Sequence, residues 1–318
     1  MVRMVESLGS PTLWLSFTVF IIAMLALDLG VLHRTPHEVG VREALGWSLV
    51  WVALALAFAG GLYALAGQRF ALQFVTGYLI EKALSVDNVF VFLVVFSFFK
   101  VPSALQHRVL FWGIFGALIM RAVFIIAGAA LIERFEWIMY IFGALLVFTG
   151  FKMLTAGNEE VQPNELVAYR LFRRIVPSTD TYRDGNFFVR ENGRLLATPL
   201  AAVLVVVEST DLMFAVDSIP AIFAVTRDPF LVYTSNVFAI LGLRAMFFLL
   251  AGIMDKFAYL KVGLAIVLSY VGVKMLIIEY FHVPPGVSLG IVAGILAIAI
   301  AWSLIAPPKK AAHGVENL

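Results

Sequence analysis

The sequence predicts an all-α polytopic membrane protein of about nine transmembrane helices that contains an inverted repeat of three helices. Three observations carry this. The 318-residue chain is 62% apolar with a mean hydropathy of +0.96, against roughly 45–50% apolar for soluble domains. Mostly apolar runs of about 18 or more residues recur along it, long enough to cross a bilayer. Within those runs an acidic pattern occurs twice, as EKALSVDNV from Glu81 and as DLMFAVDSI from Asp211.

The expected spans cover about 12–32, 42–67, 71–99, 108–131, 136–154, 198–226, 234–254, 258–279 and 286–306. The first has no basic leader and no small-residue cleavage site ahead of it, so it reads as a retained span. The third and sixth exceed the ~20 residues of a perpendicular helix, which predicts tilt or a break in each. Loop charge orients the set. With the N-terminus outside, fifteen of the 23 Lys and Arg residues fall on the cytoplasmic side. Five fall outside (Arg3, Arg69, Arg134, Arg227 and Lys274), and Lys82, Arg121 and Arg244 lie within spans. That bias predicts N-out, C-in.

The repeat extends beyond the acids. Arg121-Ala122-Val123-Phe124 aligns with Arg244-Ala245-Met246-Phe247, and Gly150-Phe151-Lys152-Met153-Leu154 with Gly272-Val273-Lys274-Met275-Leu276. Residues 71–154 therefore form repeat 1 and 198–279 repeat 2, in a single membrane domain over 1–318 with 286–306 as a final helix. A unit of three spans reverses its orientation when repeated, and the sites of such architectures lie near the midplane where the repeats meet. The polar stretch 155–197 joins them on the cytoplasmic side. PNELVAYRLFRRIV predicts a short basic amphipathic helix at the inner leaflet, and NFFVRENGRLLAT a hairpin turning at Asn192-Gly193. A plain linker is the simpler reading of this stretch; a cytoplasmic lid is the other.

Six acids lie within spans (Asp28, Glu81, Asp87, Glu208, Asp211 and Asp217), opposed by Lys82, Arg121 and Arg244. Carboxylates at bilayer depth cost several kcal/mol each and mark function. A net-negative, oxygen-rich cluster suits a hard divalent cation such as Mn²⁺, or protons, and does not suit an anion. Positions six apart on a helix differ by ~120° around the axis and ~9 Å along it, so Glu81 and Asp87 cannot chelate one ion from one straight helix. The same holds for Asp211 and Asp217. The expectation is one cation site shared by Asp87 and Asp217, with oxygens from Asn88 and Ser218. Glu81 and Asp211 then flank it, and Glu208 is a neighbour one turn from Asp211.

Arg121 and Arg244 are expected to pair with buried carboxylates and fix helix contacts. Lys82 either snorkels or pairs with an acid. Pro220 frees the carbonyl of Val216, which either coordinates a cation or only marks a kink. Met213 reads as packing. His33, His37, His107, His282 and His313 sit at span ends or in loops and form no ligand cluster. The chain has no cysteine, which excludes disulfides, thiolate metal sites and thiol redox switching. No nucleophile–base arrangement or phosphate loop is visible, so no enzyme activity is expected and transport has to run on a gradient.

The runs LALDLGVLHR (with Asp28), EKALSVDNVFVF, ESTDLMFAVDSIPAIFA, SNVFAILGLRAMFF and FFVRENGRLLATPL resemble the TerC/Alx family of integral membrane proteins, over about residues 20–280. The resemblance implies a link to Mn²⁺ export, tellurium resistance and alkaline-pH response. It carries the family's acidic positions to Asp28, Glu81, Asp87, Glu208, Asp211 and Asp217, and its amides to Asn88 and Asn236. The resulting expectation is an exporter of Mn²⁺ in exchange for protons, in a bacterial inner membrane. It has no tightly bound cofactor, and its partners are the metal ion, protons and lipid, with no nucleic acid. Two other functions stand beside it: an amino-acid exporter, which needs Arg121 or Arg244 for a substrate carboxylate, and a non-transporting membrane assembly or homeostasis factor.

Overall fold

The computed structural model describes residues 8–30, 40–155, 166–182, 185–191, 193–250, 259–278, 280–281 and 283–305. Nine helical segments fall on the nine expected spans: α1 (Pro11–Gly30), α2 (Val41–Ala66), α3 (Gln68–Phe98), α4 (Ser103–Arg134), α5 (Ile138–Thr155), α7 (Pro199–Phe223), the pair α8 (Pro229–Leu241) and α9 (Leu243–Leu250), α10 (Leu260–Leu276) and α11 (Pro285–Ile305). A short helix, α6 (Val167–Ile175), and a hairpin of β1 (Phe188–Glu191) and β2 (Arg194–Ala197) fill the connection between the repeats.

Polarity is arranged inside out. Leu65 is 90% exposed, Phe148 64% and Ile126 61%, while the side chains of Arg121 and Glu81 are each 1% exposed. Only a hydrocarbon surround makes that arrangement favourable, because an outer face of bare Leu, Ile and Phe has no stable place in water. Among the described residues, six helices are long and apolar enough to cross a membrane. The 31 residues of α3 reach about 46 Å at 1.5 Å per residue, more than the ~30 Å hydrocarbon layer. This helix therefore tilts or protrudes, as its length predicts.

The two repeats pack as a pair related by exchange. Helix α3 lies on α8 as α7 lies on α4, and α5 lies on α10. The α5–α10 seam shows the relation at atomic detail. A Cβ on Gly272 would stand 2.7 Å from the Gly143 carbonyl oxygen and 2.8 Å from the Val147 nitrogen. One on Gly150 would stand 2.7 Å from the Ala265 carbonyl oxygen and would also meet Ser269. Residue numbers rise along one helix as they fall along the other, so the helices run antiparallel. Gly150 corresponds to Gly272, Gly143 to Ala265 and Val147 to Ser269, so the contacts map onto themselves when the repeats are exchanged. Bare backbone at the crossing is what lets two transmembrane helices approach this closely.

The apolar core has two parts. Phe17, Phe58, Phe74, Phe230 and Phe238 interlock α1, α2, α3 and α8 with ring centroids 5.0 to 6.5 Å apart. A second cluster joins α5, α10 and the far half of α7 through Leu146, Leu264, Val271, Ile219 and Phe223.

Of the two alternatives for the third and sixth spans, tilt remains: α3 and α7 are continuous, α7 running through Pro220, and among the described residues a break lies instead between α8 and α9 at Gly242. Two expectations are corrected. Lys274 is not an outer-loop charge. It is 9% exposed within α10, and its ammonium donates to Ser288 Oγ at 3.2 Å. The segment between the repeats is also more than a tether. Tyr182 donates to the Phe99 carbonyl at 2.7 Å, the Tyr169 ring meets Phe99 edge-on with centroids 5.3 Å apart, and the Arg108 guanidinium lies 5.6 Å over the Phe187 ring. The segment thus docks on the α3–α4 turn. Its hairpin has the expected register, Glu191 opposite Arg194, and Gly193 supplies the positive φ of 77° that a two-residue turn requires.

At the opposite end, the Leu8 amide donates to Asp228 Oδ2 at 2.7 Å. Asp228 also caps α8 by accepting from the Phe230 amide at 2.9 Å.

Candidate functional site

A single guanidinium organises the buried polar centre. Arg121 sits at the middle of α4, facing α3, α7 and α8. Its Nε and Nη2 donate to the two oxygens of Asp211 at 3.3 and 3.1 Å, a two-pronged grip on α7. Its Nη1 pairs with Glu81 of α3 and donates to Asn236 Oδ1 of α8 at 2.9 Å and to Ser218 Oγ of α7 at 3.3 Å. Asn236 in turn donates to the other Glu81 oxygen at 3.2 Å. Asn88 of α3 donates to Asp211 Oδ1 at 3.3 Å. All six residues are buried. Arginine is the residue type for this task, since its planar fork offers five donors at fixed angles and matches carboxylates bidentately.

The centre draws on both repeats: Glu81, Asn88 and Arg121 come from the first, and Asp211, Ser218 and Asn236 from the second. Two carboxylates against one guanidinium leave a formal charge of −1, and Glu208 adds to it. Glu208 stands one turn before Asp211, close enough to feel the Asp211 charge, with its carboxylate over Gly116 of α4. A Cβ at Gly116 would lie 2.5 Å from the Glu208 carboxyl carbon, so any larger residue there would displace this carboxylate from its place. Two oxygens here are buried with no hydrogen-bond partner, Glu208 Oε2 and Asn88 Oδ1. Both belong to residues next to Asp211. Unpaired buried oxygens are expensive, and each one calls for an explanation.

The placement of the predicted residues differs from the expectation in one main respect. The acids expected to flank the site, Glu81 and Asp211, form its buried middle. Asp87 and Asp217 are half-buried and held elsewhere: Asp217 accepts from Thr149 of α5 at 3.1 Å, with Lys152 as the cation acting on it, and Lys261 is the cation acting on Asp87. The reason is the Arg121 position on α4, which faces the Glu81 and Asp211 side of each helix. The ~120° that separates members of each motif turns Asp87 and Asp217 away from it. Among the described residues, no three or more acidic or histidine side chains are grouped to hold a metal.

Lys82 donates to the Ala239 carbonyl at 3.4 Å, at the C-terminal end of α8. A cation is favoured there by the negative end of the helix dipole. Gly242 admits it, because a Cβ at that position would stand 2.6 Å from the Lys82 nitrogen. Met213 is 62% exposed and faces outward, away from the acids. Arg244 is buried beside the break. The Asp28 side chain lies outside the described residues. Sequence reading missed Gly116 and Thr149. Thr149 directly precedes the repeated Gly150 motif, which was the available signal; Gly116 is one glycine among 24 and carries none.

Comparison with known proteins agrees with this architecture. Residues 66–311 match the integral membrane protein TerC family. The chain is 57% identical over 299 residues to "Uncharacterized membrane protein STKORF319" of Myxococcus xanthus, covering 94% of each chain. It is 51% identical over 310 residues to "Putative membrane-bound redox modulator Alx" of Escherichia coli (strain K12), covering 93% of this chain and 96% of that one. An "Uncharacterized membrane protein" of Rickettsia bellii is 40% identical over 292 residues, covering 92% and 97%. No solved structure matches. With nearly full-length relatives at such identity, the chain belongs to the integral membrane protein TerC family.

Proposed function

We propose that the chain is a gradient-driven exporter of a divalent metal cation, Mn²⁺, in exchange for protons. It works across a bacterial inner membrane with its N-terminus outside and its C-terminus in the cytoplasm. One observation carries the reading: a buried, net-negative centre built from both repeats, with unpartnered oxygens of Glu208 and Asn88 beside Asp211. Carboxylate and amide oxygens are the donor set of a hard divalent ion. In this reading the ion is held by Asp211, Glu208 and Asn88, and Arg121 occupies the neighbouring place between Glu81 and Asp211. An incomplete cage suits cargo, because a transported ion has to leave as readily as it enters.

An amino-acid substrate is less well supported, since the Arg121 donors that its carboxylate would need are engaged by Glu81, Asp211, Asn236 and Ser218. The redox modulation in the printed name of the Escherichia coli relative cannot run through thiols in a chain without cysteine. It is compatible with movement of a redox-active metal.

The test is Mn²⁺ uptake into proteoliposomes under a proton gradient. Wild-type protein moves the ion, while Asp211→Asn and Glu208→Gln do not. Wild-type flux in both variants sinks the assignment. Absence of any metal flux in the wild type leaves the non-transporting role.

A further inference from the structure

Helix α6, Val167–Ile175, presents three distinct faces. At ~100° per residue, Tyr169 and Phe172 share one sector, Val167, Leu171 and Ile175 a second, and Arg170, Arg173 and Arg174 the third. The first sector turns inward: Tyr169 and Phe172 are half-buried, Tyr169 against Phe99 where α3 ends, and the helix packs on α7. The second sector is bare. Val167 is 74% exposed, Leu171 54% and Ile175 67%. The third flanks a cavity of about 280 Å³ lined by Arg173, Arg174 and the turn Ile175–Ser178. Arg173 also pairs with exposed Asp180 at 3.5 Å.

We infer that α6 is an anionic-lipid site: Val167, Leu171 and Ile175 enter the acyl-chain boundary of the cytoplasmic leaflet, and Arg173 and Arg174 hold the phosphate of an acidic phospholipid in their cavity. Place, shape and charge support this independently. Docking on α7 and on the end of α3 sets α6 at the level where spanning helices leave the bilayer, with its axis fixed by the inward sector. An apolar stripe beside an arginine face is the arrangement of a helix lying in the interface plane. Guanidinium groups favour phosphate oxygens, and the cytoplasmic leaflet carries the acidic lipids. The inference rests on the membrane orientation proposed above and is independent of which ion is transported.

The absence of cysteine makes the test direct, because any introduced thiol is the sole labelling position. A fluorophore is placed on Leu171→Cys, and separately on Arg170→Cys, in the full chain in nanodiscs. Nanodiscs of brominated phosphatidylglycerol quench the label at position 171, aqueous iodide does not reach it, and iodide quenches the label at position 170. Each arginine near an acidic surface raises lipid occupancy about fivefold. Arg173→Ala with Arg174→Ala therefore removes the advantage of brominated phosphatidylglycerol over brominated phosphatidylcholine in a 1:1 mixture. Equal quenching by both lipids in the otherwise wild-type chain overturns the headgroup site. Iodide access at position 171 overturns the membrane contact. Shielding from both quenchers assigns the stripe to a protein partner and overturns the proposal. Mn²⁺ flux measured on the same labelled variants stays at the wild-type level, which separates this failure from failure of the transport reading.

Discussion

The two pairs of repeat-related acids have the same sequence pattern and opposite circumstances. Glu81 and Asp211 are buried together on one arginine that ties four helices. Asp87 and Asp217, six residues further along the same two helices, are half-buried, and Asp217 leans on a threonine of α5. The difference teaches that a motif fixes positions along a helix, while the cation on a third helix decides which positions become a centre. Repeat symmetry is broken at this point. Arg121 on unbroken α4 gathers acids from both repeats, whereas its counterpart Arg244 follows the Gly242 break.

The sharpest way to break the comparison is to remove the guanidinium. Arg121→Ala leaves Glu81 and Asp211 uncompensated and is expected to cost about 3–5 kcal/mol, read as a large fall in thermal unfolding temperature in detergent. Arg121→Lys restores the charge without the fork and recovers only part of it. An unfolding temperature unchanged in Arg121→Ala removes the inner pair's claim to hold the fold. Next come the supports under each pair. Asn88→Ala takes away the amide that holds Asp211 and lowers Mn²⁺ flux about 10–100-fold. Thr149→Ala takes away the hydroxyl under Asp217 and lowers it no more than about fivefold. A reversed order would return the site to Asp87 and Asp217.

Smaller effects probe the scaffold. Gly272→Ala places a methyl group against the Gly143 carbonyl and costs about 1–3 kcal/mol by overpacking; with Mn²⁺ affinity unchanged, the seam near the outer pair is structural. Tyr182→Phe, remote from both pairs, removes the bond to the Phe99 carbonyl for about 0.5–1.5 kcal/mol of stability. Burial pushes the Tyr182 hydroxyl from 10.0 up to about 12. Below pH 10 it is protonated folded and unfolded alike, so it adds no pH dependence there. Between pH 10 and 12 only the unfolded chain loses this proton, and stability falls as pH rises. The slope of unfolding temperature against pH in that window is shallower in Tyr182→Phe.

The fold was legible because apolar runs answer to the bilayer itself. The spans and the repeat follow from those runs, and the hairpin from an Asn-Gly turn signal, without any knowledge of contacts. The site was legible in part. Its residues stood out as charges in hydrocarbon, yet their grouping depended on which face of α3 and α7 turns toward α4, and six-residue spacing is silent on that. Lys274 misled because its position beside a span end reads as a loop, while packing against Ser288 of α11 draws it inside. Gly242 gave no warning: a break at one glycine rests on Lys82 approaching the helix end, a contact 157 residues away.

The centre's division between the repeats also bears on the order of synthesis. The ribosome makes α3 and α4 before α7, so Glu81 and Arg121 can meet as a neutral pair before Asp211 is added. Asp211 arrives later, into a place where its counter-ion already waits on the neighbouring helix. The early half of the chain therefore carries the means by which the later half can be inserted.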